Sequence, residues 1–134
     1  MSDRKRILIV DDDKELVRGL ALRLKTSGFD VVAAPDAIAA TSVARKESPD
    51  LILLDYSLPG GNGLTVLDRL KSLMVIAPII VMSASNIADL PKRACDAGAF
   101  AFLRKPVENA TLLETIHRAL GDTLASASSG SASA

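Results

Sequence analysis

The chain has 134 residues, 49% of them hydrophobic and 24% charged, with 16 basic residues offset by 16 acidic ones. One globular domain with a genuine core fits that length. A net charge of +0, 3% aromatics and a single Cys argue against a nucleic-acid footprint, a base-stacking platform and a disulfide framework.

Ile7 to Val10 is the first of five short apolar runs and reads as a strand covered on both faces. The segment before it, Met1 to Arg6, is charged, and this run is too short for a signal-peptide core. No apolar run approaches the roughly 18 residues of a membrane span, so a soluble, cytoplasmic product with no membrane contact is expected. Leu16, Val17, Leu20 and Leu24 then mark one helix face that closes at Gly28, a fitting C′ glycine. Val31 to Ala33 is a weaker strand. The helix after it, about Ala37 to Lys46, has a thin Ala stripe with Ile38 and Val43 as larger anchors. Leu51 to Leu54 is a second fully covered strand, and Leu67, Leu70 and Met74 repeat on one helix face beyond it. Ile79 to Met82 is the third such strand, with a helix over about Ala88 to Ala97 anchored by Ile87 and Leu90. Phe100 to Leu103 is a second weak strand, and Leu113, Ile116 and Leu120 give the last helix its face. Cys95 is expected to be a small buried or half-buried hydrophobe and His117 a solvated helix residue.

Strands alternating with helices five times give an α/β sandwich, and right-handed crossovers restrict it to a doubly wound (βα)5 sheet. Setting the two weak strands at the edges selects the flavodoxin-like order 2-1-3-4-5, whose switch point lies between the first and third strands. Residues 1–122 make this domain. The tail 123–134, which from Ala125 onward holds only Ala, Ser and Gly, reads as a disordered linker or an appended remnant.

Ligands in such sheets bind beyond the carboxyl ends of the strands, and there the chain is acidic. Asp11, Asp12 and Asp13 follow the first strand, and Asp55 closes the third. Asp13 is better placed to cap the next helix. The other three should converge. Carboxylates about 4 to 6 Å apart repel by several kcal/mol per close pair at an effective dielectric near 20, so the site needs a cation. All-oxygen ligation selects a hard ion, and few protein ligands with retained waters suit Mg2+. The backbone carbonyl of Ser57, in the turn-rich loop Tyr56 to Gly63, is close enough in sequence to join it. Ser83 ends the fourth strand, and Arg104 and Lys105 end the fifth. A carboxylate nucleophile, a metal site, a hydroxyl and an ammonium on one rim are what phosphoryl transfer to an aspartate requires.

These motifs, ILIVDDD, LILLDYSLPGGNGL, IIVMSAS and AGAFAFLRKP, occur in order over about Arg6 to Leu120 and resemble the receiver domain of bacterial response regulators. The resemblance implies that Asp55 accepts a phosphoryl group from a sensor histidine kinase or a histidine phosphotransferase. It implies that Asp11, Asp12, Asp55 and the Ser57 carbonyl hold Mg2+, that Ser83 bonds the phosphoryl group and that Lys105 pairs with it. Ser83 and Phe102 would form the switch, and the Lys105-Pro106 peptide would be cis. The face of the fourth helix, fifth strand and fifth helix would receive an output domain, a target protein or a second copy. The domain would promote only its own phosphorylation and dephosphorylation. Ser57 and Ser85 occupy the two positions that tune dephosphorylation, and their small size leaves room for water, implying a slow-to-moderate loss of the mark. Asn62 stands where Asp is frequent, Val107 where Phe is usual and Phe102 where Tyr is more common.

Three other readings fare worse. A haloacid-dehalogenase-type phosphatase built on Asp11-x-Asp13 wants Thr or Val where Glu15 stands. A flavodoxin wants a Ser/Thr-rich phosphate cradle after the first strand. An unphosphorylated docking scaffold leaves the complete acidic set without a purpose.

Overall fold

The computed structural model describes residues 4–121, so the tail reading lies outside the described residues. Five strands, β1 (Arg6–Val10), β2 (Asp30–Ala34), β3 (Leu51–Asp55), β4 (Ile79–Ser83) and β5 (Ala101–Arg104), alternate with five helices. The helices are α1 (Lys14–Thr26), α2 (Ala37–Glu47), α3 (Gly63–Ser72), α4 (Leu90–Asp96) and α5 (Asn109–Ala119). All strand pairs are parallel, in the order β2-β1-β3-β4-β5.

Every residue of β3 and β4 is buried, whereas β2 and β5 are mostly half-buried, as their edge positions demand. Alternation along the central strands divides their side chains between two layers. Leu8, Val10, Ile52, Leu54, Ile79 and Val81 face a cluster with Ala40, Ala44, Val66, Leu67, Leu70 and Ala94. Ile7, Ile9, Leu51, Leu53, Ile80 and Met82 face Leu20, Leu24, Phe29, Leu112 and Ile116. Small residues of α2 and α4 with branched residues of α3 therefore line one layer, and branched residues of α1 and α5 the other.

Several helix expectations need correction. Met74 lies beyond the end of α3, has φ +64° and is 81% exposed, because the helix stops at Ser72 before the stripe reaches its next turn. Ile38 is 80% exposed; α2 packs through Ala40 and Ala44, whose small side chains let the helix lie close to the sheet. Ile87 is also exposed, since it precedes α4 rather than anchoring it, and Leu90 alone takes the anchoring role. Cys95 is exposed on the face of α4 away from its buried Leu90 and Ala94. His117 is half-buried, its ring 5.7 Å from that of Phe29. Phe100 precedes β5 and is exposed.

Candidate functional site

The parallel register sets β1 beside β3, pairing Val10 with Leu54, so the residues that follow emerge side by side at the carboxyl edge. Asp11 and Asp55 are buried there and Asp12 is exposed. One carboxylate oxygen from each of the three lies within 4.8 Å of the others. Asp13 turns away: its side chain accepts from the Leu16 N–H at 3.1 Å and caps α1.

Asp11 is fixed by its backbone as well as its side chain. Its N–H donates to the Ala34 carbonyl at 3.1 Å, and its carboxylate accepts from the Asp13 N–H at 2.9 Å. Lys105 reaches across from the end of β5, with Nζ 2.8 Å from Asp11 and 3.1 Å from Asp55. A single ammonium thus bridges the two buried carboxylates. Burial, opposed by the hydrogen bond from Lys105 and reinforced by the negative charge of Asp11, raises the Asp55 pKa above its ordinary value. For Lys105, burial by itself disfavours the ammonium, but hydrogen bonds to Asp11 and Asp55 outweigh it and raise the pKa.

Ser83, buried at the end of β4, accepts from the Ser85 N–H at its hydroxyl, 2.9 Å away, and its carbonyl accepts from the Lys105 N–H at 2.8 Å. This second bond ties the ends of β4 and β5 together. Lys105-Pro106 is cis. Phe102 is half-buried against the Ala-lined layer. Ser57 is exposed and Ser85 half-buried. Asn62 caps α3, its side-chain oxygen accepting from the Thr65 N–H at 3.0 Å, a task that Asp and Asn perform alike.

Two residues already placed near the site by the sequence have roles that the residue pattern did not show. A Cβ on Gly63 would stand 2.7 Å from the Asp55 carbonyl oxygen and 2.8 Å from the Tyr56 Cα, and the Gly63 N–H donates to the Tyr56 carbonyl at 2.6 Å. The β3–α3 loop closes only because this residue has no side chain. Arg104 is the other; its guanidinium lies over the Phe102 ring, 5.4 Å from the centroid, and donates to the Ser85 carbonyl. Strand alternation from Phe102 was the available signal, since it puts both side chains on one face.

The donor set is three carboxylates with no thiolate or imidazole, two buried and one exposed. That chemistry fits a hard divalent ion that keeps part of its water shell, and Mg2+ suits it. Like charges this close also need the compensation that Lys105 supplies only in part.

Fold and site define the class: a doubly wound α/β domain of flavodoxin-like order with an acidic cup at its switch point. The chain belongs to the response regulator receiver domain family, whose model matches residues 7–117. It is 35% identical over 117 residues to the transcriptional regulatory protein PdtaR of Mycobacterium tuberculosis, an alignment covering 87% of this chain and 57% of the relative. The chain therefore spans a little over half the length of that protein. Among solved structures, a CheY-like receiver domain from Methanospirillum hungatei superposes with a TM-score of 0.84 at 30% identity, covering 89% of this chain and 95% of the other. A CheX-CheY-BeF3-Mg2+ complex from Borrelia burgdorferi gives 0.80 at 27% identity, covering 85% and 87%. Receiver domains are signalling domains of two-component systems, typically phosphorylated on aspartate with Mg2+ at an acidic site. Among the described residues no helix is long and apolar enough to cross a membrane.

Proposed function

We propose that this chain is a phosphoacceptor switch in which Asp55 takes a phosphoryl group from a histidine kinase or histidine phosphotransferase. The observation that carries the reading is the convergence of Asp11, Asp12 and Asp55 within 4.8 Å under the ammonium of Lys105. Asp11, Asp12, Asp55 and the Ser57 carbonyl would hold Mg2+, which when bound neutralises phosphoryl oxygens. A carboxylate oxygen of Asp55 attacks phosphorus in line as the P–N bond of the phosphohistidine breaks, and the departing imidazole keeps the electron pair of that bond. Lys105 then pairs with a phosphoryl oxygen, and the Ser83 hydroxyl donates to another.

The new dianion draws Ser83 toward Asp55 and opens space for Phe102 to turn inward. Moving such a balance from 1:99 to 99:1 takes about 5.5 kcal/mol of differential interaction, within reach of a few charge-assisted hydrogen bonds. The face of α4, β5 and α5 carries the change to an output domain, a target protein or a second copy, in the cytoplasm. Ser57 and Ser85 admit water, so the mark is lost at a slow-to-moderate rate. The test is mass spectrometry after incubation with acetyl phosphate and Mg2+. The wild type gains one phosphoryl mass and Asp55→Asn gains none; an adduct that persists in the variant disproves the acceptor assignment.

A further inference from the structure

Arg104 lies outside the acidic cup, yet it touches both parts that must move when Asp55 is phosphorylated. Its guanidinium covers the Phe102 ring at 5.4 Å and donates to the Ser85 carbonyl. All three polar groups of Ser85 are thereby engaged. Its N–H donates to the Ser83 hydroxyl at 2.9 Å, its hydroxyl accepts from the Ile87 N–H at 3.3 Å, and its carbonyl accepts from Arg104. The first two bonds are local turns. The third spans 19 residues and is the one that ties this turn to the side chain lying over Phe102.

We propose that Arg104 is a positioning residue, a latch that holds the Ser83–Ser85 turn and the Phe102 ring in their unphosphorylated arrangement; this rests on the phosphoacceptor reading above. The reason is connectivity. As Ser83 is drawn toward a phosphoryl group on Asp55, the hydroxyl oxygen that moves is the one accepting from the Ser85 N–H. That displaces the Ser85 peptide and pulls its carbonyl from Arg104. The guanidinium then leaves the ring, and Phe102, whose hydroxyl-free ring has no hydrogen bond of its own to hold it, is free to turn. Arg104 supplies this ring with the polar tether that its own side chain lacks. Because Arg104 contacts none of Asp11, Asp12 or Asp55, it acts on the switch and not on the metal.

The experiment is calorimetric titration of the full chain, first with Mg2+ alone and then with beryllofluoride, a phosphoryl mimic, in saturating Mg2+. Arg104→Ala should bind Mg2+ as the wild type does and beryllofluoride about tenfold more tightly, since one cation–π contact and one charged hydrogen bond no longer hold the resting state. In a Phe102→Leu background the same substitution should gain distinctly less, because half of the latch is already gone. Equal or weaker beryllofluoride binding by Arg104→Ala, or an undiminished gain in the Phe102→Leu background, overturns the latch while leaving the phosphoacceptor reading standing. A wild type that binds Mg2+ but no beryllofluoride overturns the phosphoacceptor reading, and the latch with it.

Discussion

Helices α1 and α4 start at the same carboxyl edge of the sheet, and they are built in opposite ways. The 13-residue α1 is capped by the Asp13 side chain and buries Leu20 and Leu24. The 7-residue α4 has no side-chain cap, carries Pro in its first turn and buries Leu90 and Ala94. The first follows Asp11 and Asp12, which on the proposed reading stay in place to hold a metal. The second follows the Ser83–Ser85 turn, which on the same reading moves. One side of the sheet's carboxyl edge is anchored and the other is held by little more than a leucine and an alanine.

The sharpest way to break this contrast is to hollow each helix at its fully buried leucine. Leu24→Ala should cost stability toward the upper part of the range of about 2 to 5 kcal/mol, and Leu90→Ala toward the lower part, because a short uncapped helix can settle into the space. Urea denaturation measures both, and equal losses would show α4 to be as firmly seated as α1. A smaller effect is expected at the acidic cup. The folded-state pKa of Asp55 is raised, so its contribution favours folding below the ordinary Asp value of about 3.9 and is lost as pH rises through the raised value. In metal-chelating buffer Asp55→Asn should therefore melt a few degrees above the wild type at neutral pH, with the gap closing on acidification. Lys105, also raised, contributes fully at neutral pH and loses its contribution only in the strongly alkaline range above its ordinary value of about 10.4. A thermal melt series across pH reads both signs. Smallest are the caps: Asp13→Ala should cost about 1 kcal/mol, and Asp89→Ala, which has no cap bond to lose, less than about 0.5 kcal/mol.

The sheet and its order were legible because ILIV, LILL and IIVM are apolar without interruption, a pattern that only doubly covered strands sustain. The convergence of Asp11, Asp12 and Asp55 was legible for a related reason, since parallel strands deliver their last residues to one edge. Helix stripes were less readable. Met74 continues the spacing of Leu67 and Leu70, but periodicity carries no mark of where a helix ends, and α3 stops two residues earlier. Ile38 and Ile87 misled because bulk was taken for burial, whereas α2 seats on Ala40 and Ala44. Arg104 was legible on the rim, but its contacts were not, because its partners, an aromatic ring and a main-chain carbonyl, leave no charge pattern to search for.

Gly63 carries a consequence for how such a domain diversifies. Sequence drift can exchange most surface side chains at little expense, but at this position a lone methyl would collide with the carbonyl of Asp55. Descendants of this chain are thus free to repaint the loop around it while position 63 stays bare, and the first turn of α3 is inherited together with the aspartate it leans on.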